Sequence, residues 1–275
     1  MSYKTILVHV DRSQHNDGRI AVAAKLAADH GAHLIGAAMT GMSRFVFHGA
    51  TVDLARTVIA AQLEILVGEA NDALARFDAI AGAAGVQSFE RRLVDDDAAG
   101  GLALQARYAD LVVVSQFDGD DPVARVDPQL PAFVLINSAC PLLVVPHAGS
   151  PAAPSGHVLV AWDGSVQASR AVASAVPLLR RARKATLAIL NAGDQPGLEG
   201  ADIALYLARH GVNVEVRSEE TGLNVGAALL ALAGHLSADL MVMGGYGHTR
   251  FREVLLGGVT ESVLAAMTIP VLMSH

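Results

Sequence analysis

Short, almost wholly apolar runs alternate along the chain with longer stretches in which apolar residues recur every three or four positions. In the second half the apolar runs fall near 157–162, 185–190, 212–217, 239–243 and 269–273, and they predict five β-strands. Between them, residues 166–181, 198–210, 223–236 and 252–266 carry the helical period and are rich in good helix formers. Strands with so little polar alternation belong to sheets covered on both faces. Strand–helix alternation with right-handed crossovers predicts an open parallel sheet with helices on either side.

The same order occurs twice. Thr5–Asp11 (TILVHVD) matches His157–Asp163 (HVLVAWD) at an offset of 152, and Gly85-Val86-Gln87 matches Gly211-Val212-Asn213 at 126. Ala109–Val114 (ADLVVV) matches Ala238–Met243 (ADLMVM), and Cys140–Val145 (CPLLVV) matches Ile269–Met273 (IPVLM), both at 129. Four matches in one order mark an internal repeat. The fall in offset puts about 26 extra residues in the first half, between its second and third strands, and residues 53–81 read there as one long amphipathic helix. Pro146 to Gly156 is rich in Pro, Gly and Ser, as a linker is. The expected fold is α/β: two tandem doubly wound five-stranded parallel-sheet domains, 1–147 and 157–275, with a linker over 148–156. Fusion of two copies predicts a pseudo-dimer in which the fifth strands, near 142–145 and 270–273, meet, and two such chains are expected to pair as a homodimer.

Composition narrows the function. Of 275 residues, 52% are hydrophobic and 17% charged, which excludes wholesale disorder. The net charge of −7 argues against a general nucleic-acid binder, although backbone N–H groups can hold a small anion without any lysine. One cysteine, Cys140, rules out an internal disulfide and fits a reducing compartment. With no signal peptide and no run of about 18 apolar residues, the chain reads as soluble, cytoplasmic and not membrane-bound.

In open α/β sheets ligands sit beyond the carboxyl ends of the strands, where strand order reverses. Two segments of the second half fall there. After strand four come Gly244-Gly245-Tyr246-Gly247-His248 and, with nine residues between Gly247 and the next glycine, Gly257-Gly258-Val259. Glycines permit positive φ and close approach of a ligand, and a strand, a glycine turn and a helix start can aim N–H groups at phosphate oxygens. The block is neither a Walker loop nor a GxGxxG fingerprint; His248, Arg250 and Arg252 add positive charge. After strand one, Trp162-Asp163-Gly164-Ser165 is a tight turn with Ser165 as helix N-cap, and Asp163 is placed to meet a base, a ribose or a metal on phosphates. Trp162 is placed to pack against an adenine or in the core.

Val160–Ser165 (VAWDGS) and Gly244–Val259 together resemble the universal stress protein family in its tandem form, over nearly the whole chain. The second segment is similar to that family's ATP-binding signature, Gly-x2-Gly-x9-Gly-(Ser/Thr). The resemblance implies that Asp163 and Asn191 hold adenosine and that the loop, with Gly244, Gly245, Gly247, His248, Gly257, Gly258 and Val259, holds the phosphates of ATP, with Mg2+ as an accompanying ion. Gly258 departs from the pattern: the family's hydroxyl is missing, and Thr260 is the nearby substitute. The first half departs further. Its loop, Gln116–Pro122 (QFDGDDP), has lost the glycine spacing, and Asp118, Asp120 and Asp121 would repel a triphosphate, so no ATP is expected there although Asp11 keeps its place. That loop is either a divalent-cation site or a solvated acidic loop.

No catalytic residue and no metal ligand set stand out: there is no HExxH, no Cys/His cluster and no nucleophile elbow. Three functions stay open: an ATP-regulated module read by a protein partner, with at most slow hydrolysis; a structural or assembly protein; and an adenylate-handling enzyme.

Overall fold

The structure, a computed structural model, describes residues 2–41, 53–148, 156–193, 200–247 and 258–275; of residues 53–59 it describes the backbone path alone. They form two compact units, Ser2–Cys140 and Pro141–His275.

The first unit contains β1 (Thr5–Val10), α1 (Asn16–His30), β2 (His33–Met39), α2 (Asp53–Ala83), β3 (Phe89–Val94), α3 (Ala98–Gln105), β4 (Leu111–Ser115) and α4 (Leu130–Asn137). Its strands run in the order β3-β2-β1-β4, all parallel. β1 is buried from Ile6 to Val10 because α1 lays Ile20, Ala23, Ala24 and Ala27 on the sheet. α1 stops at Gly31, whose left-handed φ of 60° closes the helix with backbone bonds to Ala27 and Ala28. The long helix α2 spans the predicted segment and drives Phe77 over Gly36 of β2; a Cβ at Gly36 would lie 2.7 Å from the ring, which is why a glycine stands inside a strand.

The second unit contains β5 (Leu142–Val145), β6 (His157–Ala161), α5 (Val166–Leu179), β7 (Lys184–Leu190), α6 (Ala201–Arg209), β8 (Val214–Glu219), α7 (Val225–His235), β9 (Leu240–Gly244), α8 (Val259–Ala266) and β10 (Val271–Ser274). The order is β5-β10-β9-β6-β7-β8. The pairs are parallel except β5 with β10, which run antiparallel, with Val144 opposite Val271 and Leu142 opposite Met273. The fifth strands of the two repeats therefore pair, and β5 is counted with the second unit although its sequence closes the first repeat.

Two strands differ from the apolar expectation. β3 (FERRLV) and β8 (VEVRSE) stand at the ends of the strand order and carry charge, at three successive positions in β3 and at alternate positions in β8. Charges such as Glu215, Arg217 and Glu219 blunt an edge that would otherwise template pairing with another chain. Their ion pairs, Lys184–Glu215 and Arg217–Glu219, are exposed and add little stability. Among the described residues no helix is long and apolar enough to cross a membrane.

Phe77→Ala removes a fully buried ring and leaves Gly36 facing a void; it should cost about 3–5 kcal/mol in urea unfolding.

Candidate functional site

In the second unit the central strand β6 lies between β9 and β7, so the connections leave it in opposite directions and open a crevice at the strands' carboxyl ends. A cavity of about 220 Å³ occupies that crevice. Trp162, Asp163, Ser165 and Gln167 reach it from the β6–α5 turn, Gly244, Tyr246 and Gly247 from the end of β9, and Val259 and Thr260 from the start of α8. Ala188, Leu190, Val225, Leu229 and Met243 give it apolar walls.

The β6–α5 turn is fixed locally. Gly164 adopts φ 73°, the Asp163 carboxylate accepts the Ser165 N–H at 3.0 Å, and the Ser165 hydroxyl caps α5 by accepting the Ala168 N–H at 3.1 Å. The end of β9 packs straight onto that first turn. A Cβ on Gly244 would stand 2.6 Å from the Ala168 nitrogen, so the strand end and the helix start touch backbone to backbone. This contact, rather than an unusual φ, demands the glycine. Among the described residues, a Cβ on Gly247 would come nearest the end of the Gln167 side chain, at 3.3 Å, with the Ser165 hydroxyl at 3.8 Å. The left-handed conformation falls on Tyr246, with φ 53°, and is held by the Tyr246 N–H donating to the Thr260 hydroxyl at 3.1 Å. Thr260 is buried and so fastens the glycine turn to α8.

The predicted residues divide. Trp162, Asp163, Gly244, Gly247 and Val259 line one cavity. Gly245 does not; its N–H donates to the Ser274 carbonyl at 2.9 Å, continuing the β9–β10 ladder. Asn191 also stands apart, with φ 56°, its side chain accepting the Thr221 N–H at 2.7 Å. Gly258 is the N-cap of α8 and provides no side-chain hydrogen bond, so the missing hydroxyl is a missing helix cap as well. His248 and Gly257, with Arg250 and Arg252, lie outside the described residues. Sequence reasoning passed over Gln167, although the Ser165 cap places it in the first turn of α5, and over Tyr246, whose position between glycines was the available signal.

The first unit has a cavity of about 240 Å³ in its own crevice, so size does not separate the two halves. Charge does. Asp11 stands after β1, as Asp163 stands after β6, but a buried arginine has taken hold of it. Arg19 donates from Nη2 to Asp11 at 2.8 Å and to Asn16 at 3.1 Å, from Nε to the His9 carbonyl at 2.7 Å, and from Nη1 to the Ser115 hydroxyl at 2.7 Å. Burial alone would raise the Asp11 pKa; the Arg19 guanidinium outweighs it and holds the carboxyl well below the usual range. The His9 imidazole, 3.6 Å from Asp11, is pushed down to about 4, mainly by burial.

The acidic loop after β4 is not a solvated one. Asp118 and Asp121 are buried, and each carboxylate oxygen accepts a hydrogen bond. Asp118 accepts from the Gln14 side chain at 2.9 Å and from the Asp120 N–H at 2.9 Å, and its carboxylate lies 2.7 Å from His15 Nε2. Asp121 accepts the Gln14 N–H at 3.0 Å and the Val123 N–H at 2.8 Å. The loop is thus docked by its own carboxylates on the turn that leads into α1. Elsewhere, burial raises the Cys140 thiol to about 12, a poor nucleophile at neutral pH.

Chemically, the second cavity offers a carboxylate, hydroxyls and a helix start beside apolar walls, a set suited to recognition of a ligand with one polar and one apolar end.

Residues 194–275 match the model of the universal stress protein family. No curated protein matches the chain. Among solved structures, a universal stress protein from Archaeoglobus fulgidus superposes with a TM-score of 0.75 at 17% identity, over 98% of this chain and 94% of its own. A putative universal stress protein from Pseudomonas aeruginosa gives 0.56 at 18% identity, over 98% and 92%. A universal stress protein in complex with cAMP gives 0.41 at 26% identity, over 53% and 98%.

Gly244→Ala should lower the melting temperature and distort the cavity, because the new methyl meets helix backbone that cannot turn away. The buried charges set a pH dependence. Below pH 6.5 the unfolded chain takes up a proton at His9 that the folded one refuses until about pH 4, so stability falls across that window by roughly 3 kcal/mol. Below an ordinary carboxyl pKa of 3.8, unfolded Asp11 protonates while the folded group stays ionised, and stability falls further. Urea midpoints between pH 7 and pH 3 check both; His9→Asn should flatten the upper window and leave the lower.

Proposed function

With a universal stress protein domain over residues 194–275 and the two-domain fold of that family across the chain, we propose that the second domain binds ATP as a regulatory ligand in a cytoplasmic stress response. The observation that carries this reading is the convergence of Asp163, Gly244, Gly247 and the start of α8 on one cavity at the switch point of the sheet. In this reading Asp163 and Trp162 meet the adenosine, with Leu190, Val225 and Leu229 as its apolar bed. The phosphates lie at the glycine turn and at the positive end of α8, with Mg2+ balancing their charge. Occupancy then changes a surface that a partner protein reads. The first domain takes no ATP, because Arg19 has neutralised Asp11 and the loop after β4 lacks the glycine spacing and is docked by its carboxylates on the turn into α1.

A second reading, an assembly protein that binds no nucleotide, is favoured by one observation. The N–H groups of Gly245 and Tyr246 are already bonded to Ser274 and Thr260, which leaves fewer amides for phosphate than the glycine spacing alone suggests.

Millimolar ATP with magnesium should raise the melting temperature of the second unit, and Asp163→Ala or Gly247→Val should abolish the rise. An unchanged melting temperature in the intact protein favours the assembly reading. Gly258→Ser restores both a cap and a hydroxyl; a hydrogen bond to a charged group contributes about 1.5–3 kcal/mol, so ATP affinity should tighten about tenfold or more in calorimetry.

A further inference from the structure

One position in each repeat reaches from the turn after the first strand to the loop after the fourth. The offset of 152 that matches Asp11 with Asp163 also matches His15 with Gln167. In the first half His15 Nε2 lies 2.7 Å from the buried Asp118 carboxylate, which belongs to the loop after β4. An ionised carboxylate only accepts, so the imidazole N–H is the donor. In the second half the Gln167 side chain runs along the glycine turn after β9. Its Cβ is 2.9 Å from the place a Cβ on Gly244 would take, and its Oε1 is 3.3 Å from the place a Cβ on Gly247 would take. The stem of Gln167 thus lies against the first glycine and its carboxamide against the second. A side chain at either glycine would crowd it.

What differs between the halves is the acceptor. The loop after β4, QFDGDDP, brings its own anion to His15. The described part of the loop after β9 is Gly245-Tyr246-Gly247, which carries no carboxylate. Among the described residues the Gln167 carboxamide has no hydrogen-bond partner, although it lines the cavity. Oε1 and Nε2 exchange places by a half-turn of the carboxamide, so either a donor or an acceptor can face the cavity there. Donors are scarce at this turn. The N–H groups of Gly245 and Tyr246 are spent on Ser274 and Thr260, and Gly258 has no hydroxyl. Gln167 is the side chain placed to supply a donor in their stead.

We infer that Gln167 selects an anionic nucleotide in the second cavity: its Nε2 donates to a phosphate oxygen lying against Gly247, as His15 donates to the Asp118 carboxylate in the first half. This rests on the reading that the second domain binds ATP, and it adds which side chain separates ATP from uncharged adenosine. One repeat answers the donor at this position with its own carboxylate, and the other leaves it for the ligand's phosphate.

The test titrates ATP with magnesium, and adenosine, calorimetrically into the full chain and two variants. Gln167 is half-buried and stands outside the core, so Gln167→Ala and Gln167→Glu should melt with the parent. Gln167→Ala should weaken ATP about tenfold, and Gln167→Glu, which sets a carboxylate against the phosphate, by about a hundredfold. Adenosine should bind both variants as it binds the parent, within about twofold. Gln167→Arg, which restores a donor, should recover ATP affinity. The side-chain NH2 resonances of Gln167, identified by their loss in Gln167→Ala, should move with ATP and stay in place with adenosine; this readout on the parent protein stands even if a variant fails to fold. Unchanged ATP affinity in both variants, or equal weakening of ATP and adenosine, overturns the inference and leaves the ATP reading intact. A parent protein that binds no ATP overturns both.

Discussion

The contact on which the candidate site depends is a backbone one: the end of β9 pressed against the first turn of α5. At that place the sheet reverses its winding, and neighbouring strands send their chains to opposite sides. A side chain there would force strand and helix apart and close the crevice, and Gly244 keeps them together with 2.6 Å between its would-be Cβ and the Ala168 nitrogen. The Ser165 cap, the left-handed Tyr246 and the Thr260 fastening all fix the loops that leave this contact. Recognition is thereby placed on short loops rooted in rigid elements, and pre-organisation of this kind lowers the entropic cost of binding.

The first half solves the same geometry with charge. Where the second half has Ala171 on its helix, the first has Arg19, and that one guanidinium ties the ends of β1 and β4 to α1 through four hydrogen bonds. A buried arginine is stable only when its partners are complete, and removing one from a pair of this kind costs about 3–5 kcal/mol. Asp11 is therefore held for structure and is not available to a ligand as Asp163 is. The two halves carry similar crevices, and in one of them a buried ion pair has engaged the carboxylate that follows the first strand.

Most of the fold was legible because the repeat announced it twice. Apolar runs between helix-period stretches define βα units wherever the strands are central, and the matching segments at Asp11 and Asp163 fixed the two switch points. The edge strands were less legible, since charged residues interrupt their apolar runs, and β8 starts two residues later than its apolar run implied. For the site, residue types and spacing pointed to the turn after β6 and the loop after β9, and both reach one cavity. The sequence could not say why the glycines stand there, because the helix backbone facing Gly244 is 76 positions away. Nor could it say that Gly245 serves the sheet. Arg19 went unread for the same reason: its partners, His9, Asp11, Asn16 and Ser115, come together only when β4 lies beside β1. A lone arginine in the otherwise alanine-rich early turns of α1 was the available hint.

The pairing of β5 with β10 bears on how this chain can be divided. β5 belongs to the first repeat by sequence and to the second unit by packing. A fragment cut at the linker and beginning after Gly156 would leave three apolar residues of β10, Val271 to Met273, with one side of their ladder bare, an adhesive rim that recruits any strand within reach. A fragment beginning at Pro141 would carry its own cover. The duplicated halves are therefore not interchangeable beads on a string, and the place where the sequence invites scissors is some fifteen residues past the place where the fold permits them.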